Sequence, residues 1–263
     1  MDRQLEGRRA FVSGSTQGIG YATARALTAA GADVTVSGRD RGRVDAAVEG
    51  LRAEYPASNP SGVVVDFARP TDVASLVGSL GEIDVLVNNV GRFGLAEFDA
   101  ITDDEWLEYF QVNVMSGVRL SRHVLSGMLD RGWGRVVFIS SESGVNVPVD
   151  MVHYGVTKAA VIALANGLAK RTRGTAVTVN TVLGGPTYSD GVAATVESIA
   201  ADQQVPAAVL QESIIGQNRT TLLARFIRPD EIANLVAYLA SPLSSATNGA
   251  AIRADGGVLT GML

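Results

Sequence analysis

Short apolar runs alternate with longer amphipathic stretches along almost the whole chain. Runs such as "RAFVSG" (9–14), "DVTVSG" (33–38) and "RVVFIS" (135–140) are rich in β-branched residues, and a helical spacing of apolar residues follows each of them. Nearly continuous apolar strands that alternate with helices are typical of a parallel sheet covered on both faces. The pattern therefore predicts an α/β fold: a single-domain, doubly wound parallel sheet (Rossmann-like) with helices on both faces.

The same spacing predicts where the elements lie. It indicates a last strand over about 250–254 and helices over about 19–30, 41–54, 71–80, 106–129, 154–170 and 229–239. Residues 184–225 interrupt the alternation, and we expect a lid or substrate-binding loop region there. No linker, charge block or low-complexity segment divides the chain, so we expect one domain over residues 1–263.

Composition excludes several classes of function. A formal charge of −5 and a pI near 5.1 disfavour nucleic-acid and membrane partners. There are no cysteines and only two histidines, so neither disulfides nor a metal site is indicated. The charged N-terminus lacks the apolar run of a signal peptide, and no later segment reaches about 18 uninterrupted apolar residues, so the expected location is the cytoplasm.

A glycine-rich turn follows the first strand. In "SGSTQGIG" (13–20), Gly14, Gly18 and Gly20 are spaced as GxxxGxG before a helix. Glycines here allow a tight turn and a close approach to a pyrophosphate, whose charge the helix N-terminus favours. A glycine-rich turn without a ligand is the alternative, but the position between first strand and first helix favours nucleotide binding.

Polar residues also follow the next strands. Asp66 closes the third strand and "NNVG" (88–91) the fourth, at the carboxyl edge where open α/β sheets bind ligands. Loop-forming residues at any strand end are an equally good interpretation of each. Asn113 lies inside an apolar helical stretch, where a polar amide can simply face solvent or bond the backbone.

The fifth strand ends in a serine pair, and a tyrosine and a lysine follow it. Ser140 and Ser141 close the strand, and Tyr154 and Lys158 lie four residues apart on the next helix, so they share a face. A set of serine, tyrosine and lysine with no nearby histidine does not resemble a Ser-His-Asp hydrolase, and the chain has no GxSxG motif. The set suits proton transfer instead.

Several motifs occur together in a fixed order over nearly the full length. They are "SGSTQGIG", "NNVG", Asn113, "ISS", "YGVTK", "VNTVLGGPT" and "RADGG". In this order and spacing the chain resembles a short-chain dehydrogenase/reductase. The resemblance implies the catalytic residues Asn113, Ser141, Tyr154 and Lys158, with Ser141 preferred to Ser140 because it lies thirteen residues before Tyr154.

The resemblance also implies a nicotinamide dinucleotide as cofactor and a small carbonyl or alcohol as substrate. The cofactor-binding residues that it implies are Gly14, Ser15, Gln17, Gly18, Ile19, Gly20, Ser37, Arg39, Asp66, Asn88, Gly91, Tyr154, Lys158, Gly185 and Thr187. It further implies that Lys158 holds the nicotinamide ribose and that Asn113 positions a water bonded to this lysine.

The chemistry of the tyrosine and the lysine agrees with this assignment. A free tyrosine has a pKa of about 10 and needs a nearby cation to favour its phenolate, which Lys158 supplies. Tyr154 would protonate the oxygen of a carbonyl as hydride arrives, with a hydrogen bond from Ser141, and would act as the base in the reverse direction.

Two departures from the family pattern lie beside the expected cofactor site. Val90 stands where the family usually has alanine, and Gly184 where it usually has proline. Valine adds bulk, and glycine would free the start of the substrate loop. We expect these changes to tune binding and not to abolish it.

The end of the second strand bears on the choice of dinucleotide. NAD-preferring members carry a carboxylate there, whereas this chain has glycine followed by Arg39. A guanidinium can pair with a 2′-phosphate, and the hydroxyls of Ser15 and Ser37 could add hydrogen bonds, so NADP is favoured over NAD. Asp40 is interpreted as a helix N-cap, and Gln17 occupies a position where many NADP-dependent relatives have a second basic residue.

Three alternatives to a general ketone or alcohol oxidoreductase stay open. One is a 3-oxoacyl-carrier-protein reductase, whose docking patch would draw on Arg119, Arg122, Arg131 and Arg173. The others are a dinucleotide-binding protein without catalysis and a structural subunit. The substrate is not specified by the residues expected to line the pocket, which are Phe93, Val147, Pro148, Tyr188 and 190–215.

The family resemblance predicts a homo-oligomer, a tetramer. One interface would use the helices over 106–129 and 154–170, and "DGGVLTGML" (255–263) would lie near another. Small residues of the second helix would permit close approach, although they fit a face against the sheet equally well: Ala159, Ala160, Ala163 and Gly167.

Overall fold

The computed structural model of the protein describes residues 3–217 and 220–262. Within them a single sheet forms from β1 (Arg9–Val12), β2 (Asp33–Gly38), β3 (Ser61–Val64), β4 (Val85–Asn88), β5 (Trp133–Ser141), β6 (Ala176–Gly184) and β7 (Ala251–Ala254). The strands are all parallel, in the order β3-β2-β1-β4-β5-β6-β7. The strand order reverses between β1 and β4, and a crevice at such a point is where doubly wound sheets bind ligands.

Helices connect the strands. They are α1 (Gly18–Ala29), α2 (Arg41–Glu54), α3 (Pro70–Ser79), α4 (Asp103–Phe110), α5 (Ser116–Asp130), α6 (Val152–Lys170), α7 (Asp190–Gln203), α8 (Ala207–Gln217) and α9 (Pro229–Ala240). A π-helical segment, Gln111–Met115, joins α4 to α5 in one continuous run. None of the helices in the described ranges has the length and hydropathy needed to cross a bilayer.

Capping side chains and a proline define where several helices begin. The Asp40 side chain accepts a hydrogen bond from Arg43 N at 2.9 Å, which confirms its interpretation as the N-cap of α2. Thr102 caps α4 in the same way through Glu105 N. The helix α9 begins at Pro229, where the missing backbone N–H has no intrahelical partner to lose.

Two apolar cores cover the two faces of the sheet. On one face, Leu27 of α1, Leu51 of α2 and Ile232 of α9 are fully buried against the strands. On the other, Leu120 of α5 and Val161 of α6 belong to a second buried cluster with α3. The sequence prediction of a doubly wound parallel sheet is confirmed, and the predicted helix and last-strand boundaries agree with the structure to within three residues.

The region 184–225 differs from its description as a loop. It contains α7 and α8, and the bridge between Thr187 and Ile227 fixes its beginning to its end. Ser189 caps α7 through Val192 N. Apolar and small residues are distributed here without a clear face, so the helical periodicity is weak. Asn218 and Arg219, which belong to this region, lie outside the described residues.

Candidate active site

The glycine-rich turn after β1 is closely packed. Gly14 has a φ of +62°, and the Val90 Cα lies 3.2 Å from where a Cβ on Gly14 would stand. A Cβ on Gly20 would lie 2.2 Å from the Gly14 carbonyl oxygen, so a larger residue cannot fit there. Glycine is needed at both positions, for backbone conformation at one and close approach at the other. The bulk added by Val90 is therefore packed against the turn.

Asn89 holds this turn in place. Its side-chain Nδ2 donates to the carbonyl oxygens of Ser13 at 3.0 Å and Gly14 at 2.8 Å, and its backbone N–H donates to Ser13 Oγ. No separate role for Asn89 follows from the sequence alone. Only its place in "NNVG" marks Asn89 in the sequence, because hydrogen bonds between the ends of two strands depend on the tertiary structure.

The hydroxyls of Ser15 and Ser37 do not face a phosphate. Both residues are fully buried. Ser15 Oγ donates to Val12 O at 2.7 Å and accepts from Ser37 N, while Ser37 Oγ donates to Val12 O and accepts from Gly14 N. The expectation that these hydroxyls add hydrogen bonds to a 2′-phosphate is corrected, because their hydrogen-bonding capacity is already used inside the turn.

An anionic oxygen already contacts the glycine turn. The Gly18 backbone N–H donates to Asp190 Oδ2 at 2.6 Å, from the first residue of α7. This N–H opens the twelve-residue helix α1, whose N-terminus favours negative charge. The carboxylate stands where a phosphate oxygen of a dinucleotide would bind. The turn therefore fits the pyrophosphate that the motif predicts, with Ile19 and Gly20 continuing the same helix start.

Two arginines border the turn at the end of β2. Arg39 is exposed and pairs with no carboxylate in the described part of the chain. Arg43, in the first turn of α2, donates from Nη1 to Gln17 Oε1 at 3.1 Å. A second guanidinium thus lies beside the glycine motif, although residue 17 itself is glutamine. Sequence reasoning missed Arg43 because its contact depends on how α2 packs beside α1.

Asp66 lies two residues after β3, and Asn88 is the last residue of β4, both at the expected edge of the sheet. Asp66 Oδ1 accepts from Ala68 N at 3.0 Å, so its carboxylate shapes the local turn. Asn88 is buried and donates from Nδ2 to Ser121 Oγ at 3.1 Å. Its Oδ1 has no protein partner within the described ranges, and a buried polar atom of that kind is a candidate contact for a ligand or water.

Asn113 is buried in the π-helical segment between α4 and α5. Its Nδ2 donates to Arg92 O and to Thr157 Oγ1, and its Oδ1 accepts from Arg92 N at 2.8 Å. It therefore joins the loop after β4 to α6. Such π segments often occur at functional sites. A Cβ on Gly91 would lie 3.5 Å from Asn113 Oδ1 and 3.4 Å from Lys158 Nζ, which shows how closely these groups converge.

Tyr154 and Lys158 meet at the first turns of α6. Lys158 Nζ lies 5.5 Å from the centre of the Tyr154 ring and donates to Ile139 O at 3.0 Å. Burial lowers the pKa of Lys158 to about 8. Burial also raises the pKa of Tyr154 above its usual value; the hydrogen bond with Ser141 opposes this effect, and the charge of Glu142 adds to it. Burial, and not the charge of Lys158, therefore dominates the pKa of Tyr154.

The two serines at the end of β5 have different partners. Ser140 Oγ donates to Lys158 O at 2.9 Å and helps to hold α6 on the sheet. Ser141 Oγ accepts from Ser143 N and donates to Glu142 Oε2 at 2.6 Å, and it faces Tyr154. This division agrees with the choice of Ser141 as the residue beside the reacting group.

The start of the substrate region is fixed and not free. Gly184 is the last residue of β6 and pairs with Ser141 on one side and Ala254 on the other. A Cβ on Gly185 would lie 2.5 Å from Asp255 O. The expectation that glycine at 184 loosens this segment is wrong, because the residue extends the strand where proline would interrupt its hydrogen bonds. Thr187 is also held, since its Oγ1 donates to Gly185 O.

Only part of the expected substrate pocket gathers at the tyrosine. Phe93 stands edge-on to Tyr154, with ring centres 6.4 Å apart. Tyr188 instead lines a cavity of about 600 Å³ beside α8, together with Phe226 and Arg225. That cavity includes none of the four expected catalytic residues, so it extends the substrate region and does not contain the reacting centre.

Comparisons with known proteins agree with this site. A protein-family model described as Enoyl-(Acyl carrier protein) reductase matches residues 14–259. The chain is 40% identical over 260 residues to the uncharacterized oxidoreductase YvaG of Bacillus subtilis, covering 98% of each chain. It is 31% identical to the 3-oxoacyl-[acyl-carrier-protein] reductase FabG of Aquifex aeolicus, covering 98% of this chain and 100% of that one.

A solved structure is also similar over the whole length. L-sorbose reductase from Gluconobacter frateurii, complexed with NADPH and L-sorbose, has a TM-score of 0.94 and is 28% identical, with 100% of both chains covered. The similarity includes the region of α7 and α8, since no part of either chain is left out.

Proposed function

Because this chain belongs to the short-chain dehydrogenase/reductase family, we propose that it is an NADP-dependent oxidoreductase. It transfers a hydride between the nicotinamide and a small ketone or secondary alcohol. The observation that carries the proposal is the convergence of Ser141, Tyr154, Lys158 and Asn113 at the carboxyl edge of the sheet, beside the glycine turn.

The dinucleotide supplies the hydride when it is bound. Residues of the chain transfer the proton and stabilise the charge that forms on the substrate oxygen and on the tyrosine. Tyr154 donates its phenolic proton to the substrate oxygen as that oxygen becomes an alkoxide, and Ser141 stabilises the same oxygen with a hydrogen bond. Lys158 holds the ribose and, when protonated, favours the phenolate left behind. Asn113 fixes the loop after β4 against α6 and so keeps these groups in register.

The residues around the turn would hold the cofactor. The N–H groups of the α1 start would donate to the pyrophosphate, and Asp66 and Asn88 lie where the adenosine would pass. Gly185 and Thr187, just after β6, would contact the nicotinamide end. Ser15 and Ser37 contribute by shaping the turn and not by direct contact.

NADP(H) is proposed as the preferred dinucleotide. Arg39 directly follows β2, Arg43 donates to Gln17, and glycine, not a carboxylate, occupies the last position of β2. Asp40 caps α2, so we do not assign its carboxylate to the ribose hydroxyls. The complex of L-sorbose reductase with NADPH supports the same preference.

The test is direct. Purified protein is incubated with NADPH and a panel of ketones and aldehydes, and the loss of NADPH absorbance is followed. Turnover that disappears in Tyr154→Phe supports the proposal. Tight NADPH binding without turnover on any member of a broad panel would instead support a binding protein without catalysis.

A 3-oxoacyl-carrier-protein reductase is the second candidate, favoured by the relative from Aquifex aeolicus. Of the arginines expected to form its docking patch, Arg131 lies near Glu82 and Asp84, and Arg119 donates to Gln111. The ion pairs of Arg131 reduce the positive charge that it offers to an acidic carrier protein, whereas the neutral Gln111 leaves the charge of Arg119 unchanged. Comparing a 3-oxoacyl thioester on the carrier protein with a free ketone of similar size separates the two functions.

A homotetramer is the proposed assembly. Ala163 and Gly167 are exposed on α6, and nothing lies within 4 Å of the place where a Cβ on Gly167 would stand. A shallow depression of about 490 Å³ runs beside Ala163 and Asn166 towards Gly249. A flat face of small residues supports helix-to-helix contact between copies, and sedimentation at micromolar concentration tests it.

A further inference from the structure

A carboxylate lies next to the proposed catalytic serine, and the mechanism above does not use it. Glu142 follows Ser141 directly and begins a short 3₁₀ turn that ends at Gly144. Its Oε2 accepts two hydrogen bonds of 2.6 Å, one from Ser141 Oγ and one from Ser143 Oγ. Its charge also reaches the phenol of Tyr154. Glu142 therefore belongs to the reacting centre by position.

The negative charge of Glu142 is not neutralised. No lysine or arginine pairs with Glu142 in the described part of the chain. Asp255, whose charge acts on Glu142, is itself paired with Arg253. Burial raises its pKa, and the two serine hydroxyls only partly oppose that effect. A half-buried carboxylate without a cation needs hydrogen-bond donors, and a carboxylate can accept about four.

The carboxylate is not needed to build the turn. Ser141 Oγ already caps it by accepting from Ser143 N at 3.1 Å, and the backbone closes it through Val145 N to Glu142 O. Both serine hydroxyls go to Oε2, and no side chain of the described residues donates to Oε1. The second oxygen is therefore available to accept a hydrogen bond from a ligand.

Substrate binding changes the hydrogen bonds of Glu142. To donate to a substrate carbonyl, the Ser141 hydroxyl must turn away from Oε2, which then loses one of its two donors. A half-buried acceptor that loses a donor without full replacement destabilises the complex. A donor on the substrate carbon next to the carbonyl would replace the lost bond, because the two oxygens of a hydroxy ketone are about as far apart as Ser141 Oγ and Glu142 Oε2, which are 2.6 Å apart.

We propose that Glu142 is a specificity-determining residue that binds a hydrogen-bond donor, a hydroxyl or an ammonium group, on the carbon adjacent to the reacting carbonyl. The inference rests on the proposed function of the site and names its substrate class. Ketones with such a donor keep the carboxylate satisfied throughout the reaction. Ketones without such a donor leave the Glu142 carboxylate with one hydrogen bond fewer, and they react more slowly.

Three ketones of nearly equal size test this: butanone, hydroxyacetone and aminoacetone. In the parent, we expect kcat/KM for the better of the two donor-bearing ketones to exceed that for butanone by about 10- to 100-fold, the range for a hydrogen bond to a charged group. Glu142→Ala should bring this ratio close to one. Glu142→Gln keeps an acceptor without the charge, so it should reduce preference for aminoacetone more than preference for hydroxyacetone.

Ser143→Ala is the matched control, because it removes the other hydroxyl from Oε2 and leaves the carboxylate. It should keep or increase the preference for donor-bearing ketones, because Oε2 then has one donor fewer, and the Kd for NADPH should be unchanged in all variants. An equal loss of kcat/KM for all three ketones in Glu142→Ala, or a parent that does not prefer the donor-bearing ketones, overturns the inference alone. A parent that binds NADPH but reduces no carbonyl at all overturns the proposed function as well.

Discussion

The carboxylate of Asp190 lies 2.6 Å from the backbone nitrogen of Gly18, which links the first residue of α7 to the glycine turn. The pyrophosphate of a dinucleotide would need the same N–H, because this is the start of α1. The contact therefore connects the substrate region to the glycine turn, and the Asp190 carboxylate would compete with the pyrophosphate for this N–H.

Removal of this carboxylate should strengthen cofactor binding. We expect Asp190→Ala to lower the Kd for NADPH by about threefold to tenfold, a modest effect because Asp190 is exposed. Fluorescence titration measures it. Asp202→Ala removes another exposed carboxylate from α7 and should leave the Kd unchanged. Weaker binding in Asp190→Ala would mean that this residue holds the region closed over bound dinucleotide and does not compete with it.

Tyr154→Phe should separate chemistry from binding. The phenol is the proposed acid, so its loss should lower kcat by about 10²–10⁴, the usual contribution of a positioned acid–base group. The ring itself stays, including its contact with Phe93, so the Kd for NADPH should change little. Tyr238→Phe, at an exposed position on α9, is the control. Full turnover in a folded Tyr154→Phe protein rules out the proposed role.

Lys158 should make the stability of the protein depend on pH in a specific window. Burial lowers its pKa from 10.5 to about 8, so the unfolded chain holds this proton more tightly than the folded chain. Below pH 8 the buried charge destabilises the fold by up to about 3 kcal/mol, and this effect disappears as the pH rises from 8 to 10.5.

The measurement compares the free energy of unfolding of the parent with that of Lys158→Met across this window. The parent should gain stability relative to the variant as the pH rises, because only the parent carries the buried ammonium. The lost bond to Ile139 O adds a cost to the variant that does not depend on pH. Lys170→Met, at the exposed end of α6, should show a constant difference from the parent. A constant difference for Lys158→Met as well would mean that its charge is not buried.

The elements that the sequence predicted best are those with strong periodicity. The prediction of 41–54 agrees with α2 at both ends, because an N-cap aspartate precedes a clear apolar face. The helices α7 and α8 were missed because small and apolar residues lie on all sides of them. The chain order of the motifs identified the proposed catalytic residues, since each lies at the end of a strand or on the helix that follows.

Contacts between distant segments could not be read from the sequence. The side chains of Ser15 and Ser37 point into the turn, and a motif does not specify the direction of a hydroxyl. The contacts of Arg43 with Gln17 and of Asp190 with Gly18 depend on how separate helices pack. They became visible only with tertiary structure, and they bear directly on the choice of cofactor.

The preference for NADP(H) gives the last prediction. Arg39 is exposed directly after β2 and has no carboxylate partner in the described residues, so it is free to pair with a 2′-phosphate. Arg39→Asp should lower the ratio of kcat/KM with NADPH to that with NADH by at least about 10- to 100-fold, since it removes a charged hydrogen bond and adds repulsion. Arg43→Ala should lower the ratio less, because Arg43 also bonds Gln17. Arg41→Ala is the matched control, an exposed arginine of the same helix that faces Asp45 at 3.8 Å. If the parent prefers NADH, or if Arg39→Asp and Arg41→Ala give the same ratio, then Arg39 does not recognise the 2′-phosphate.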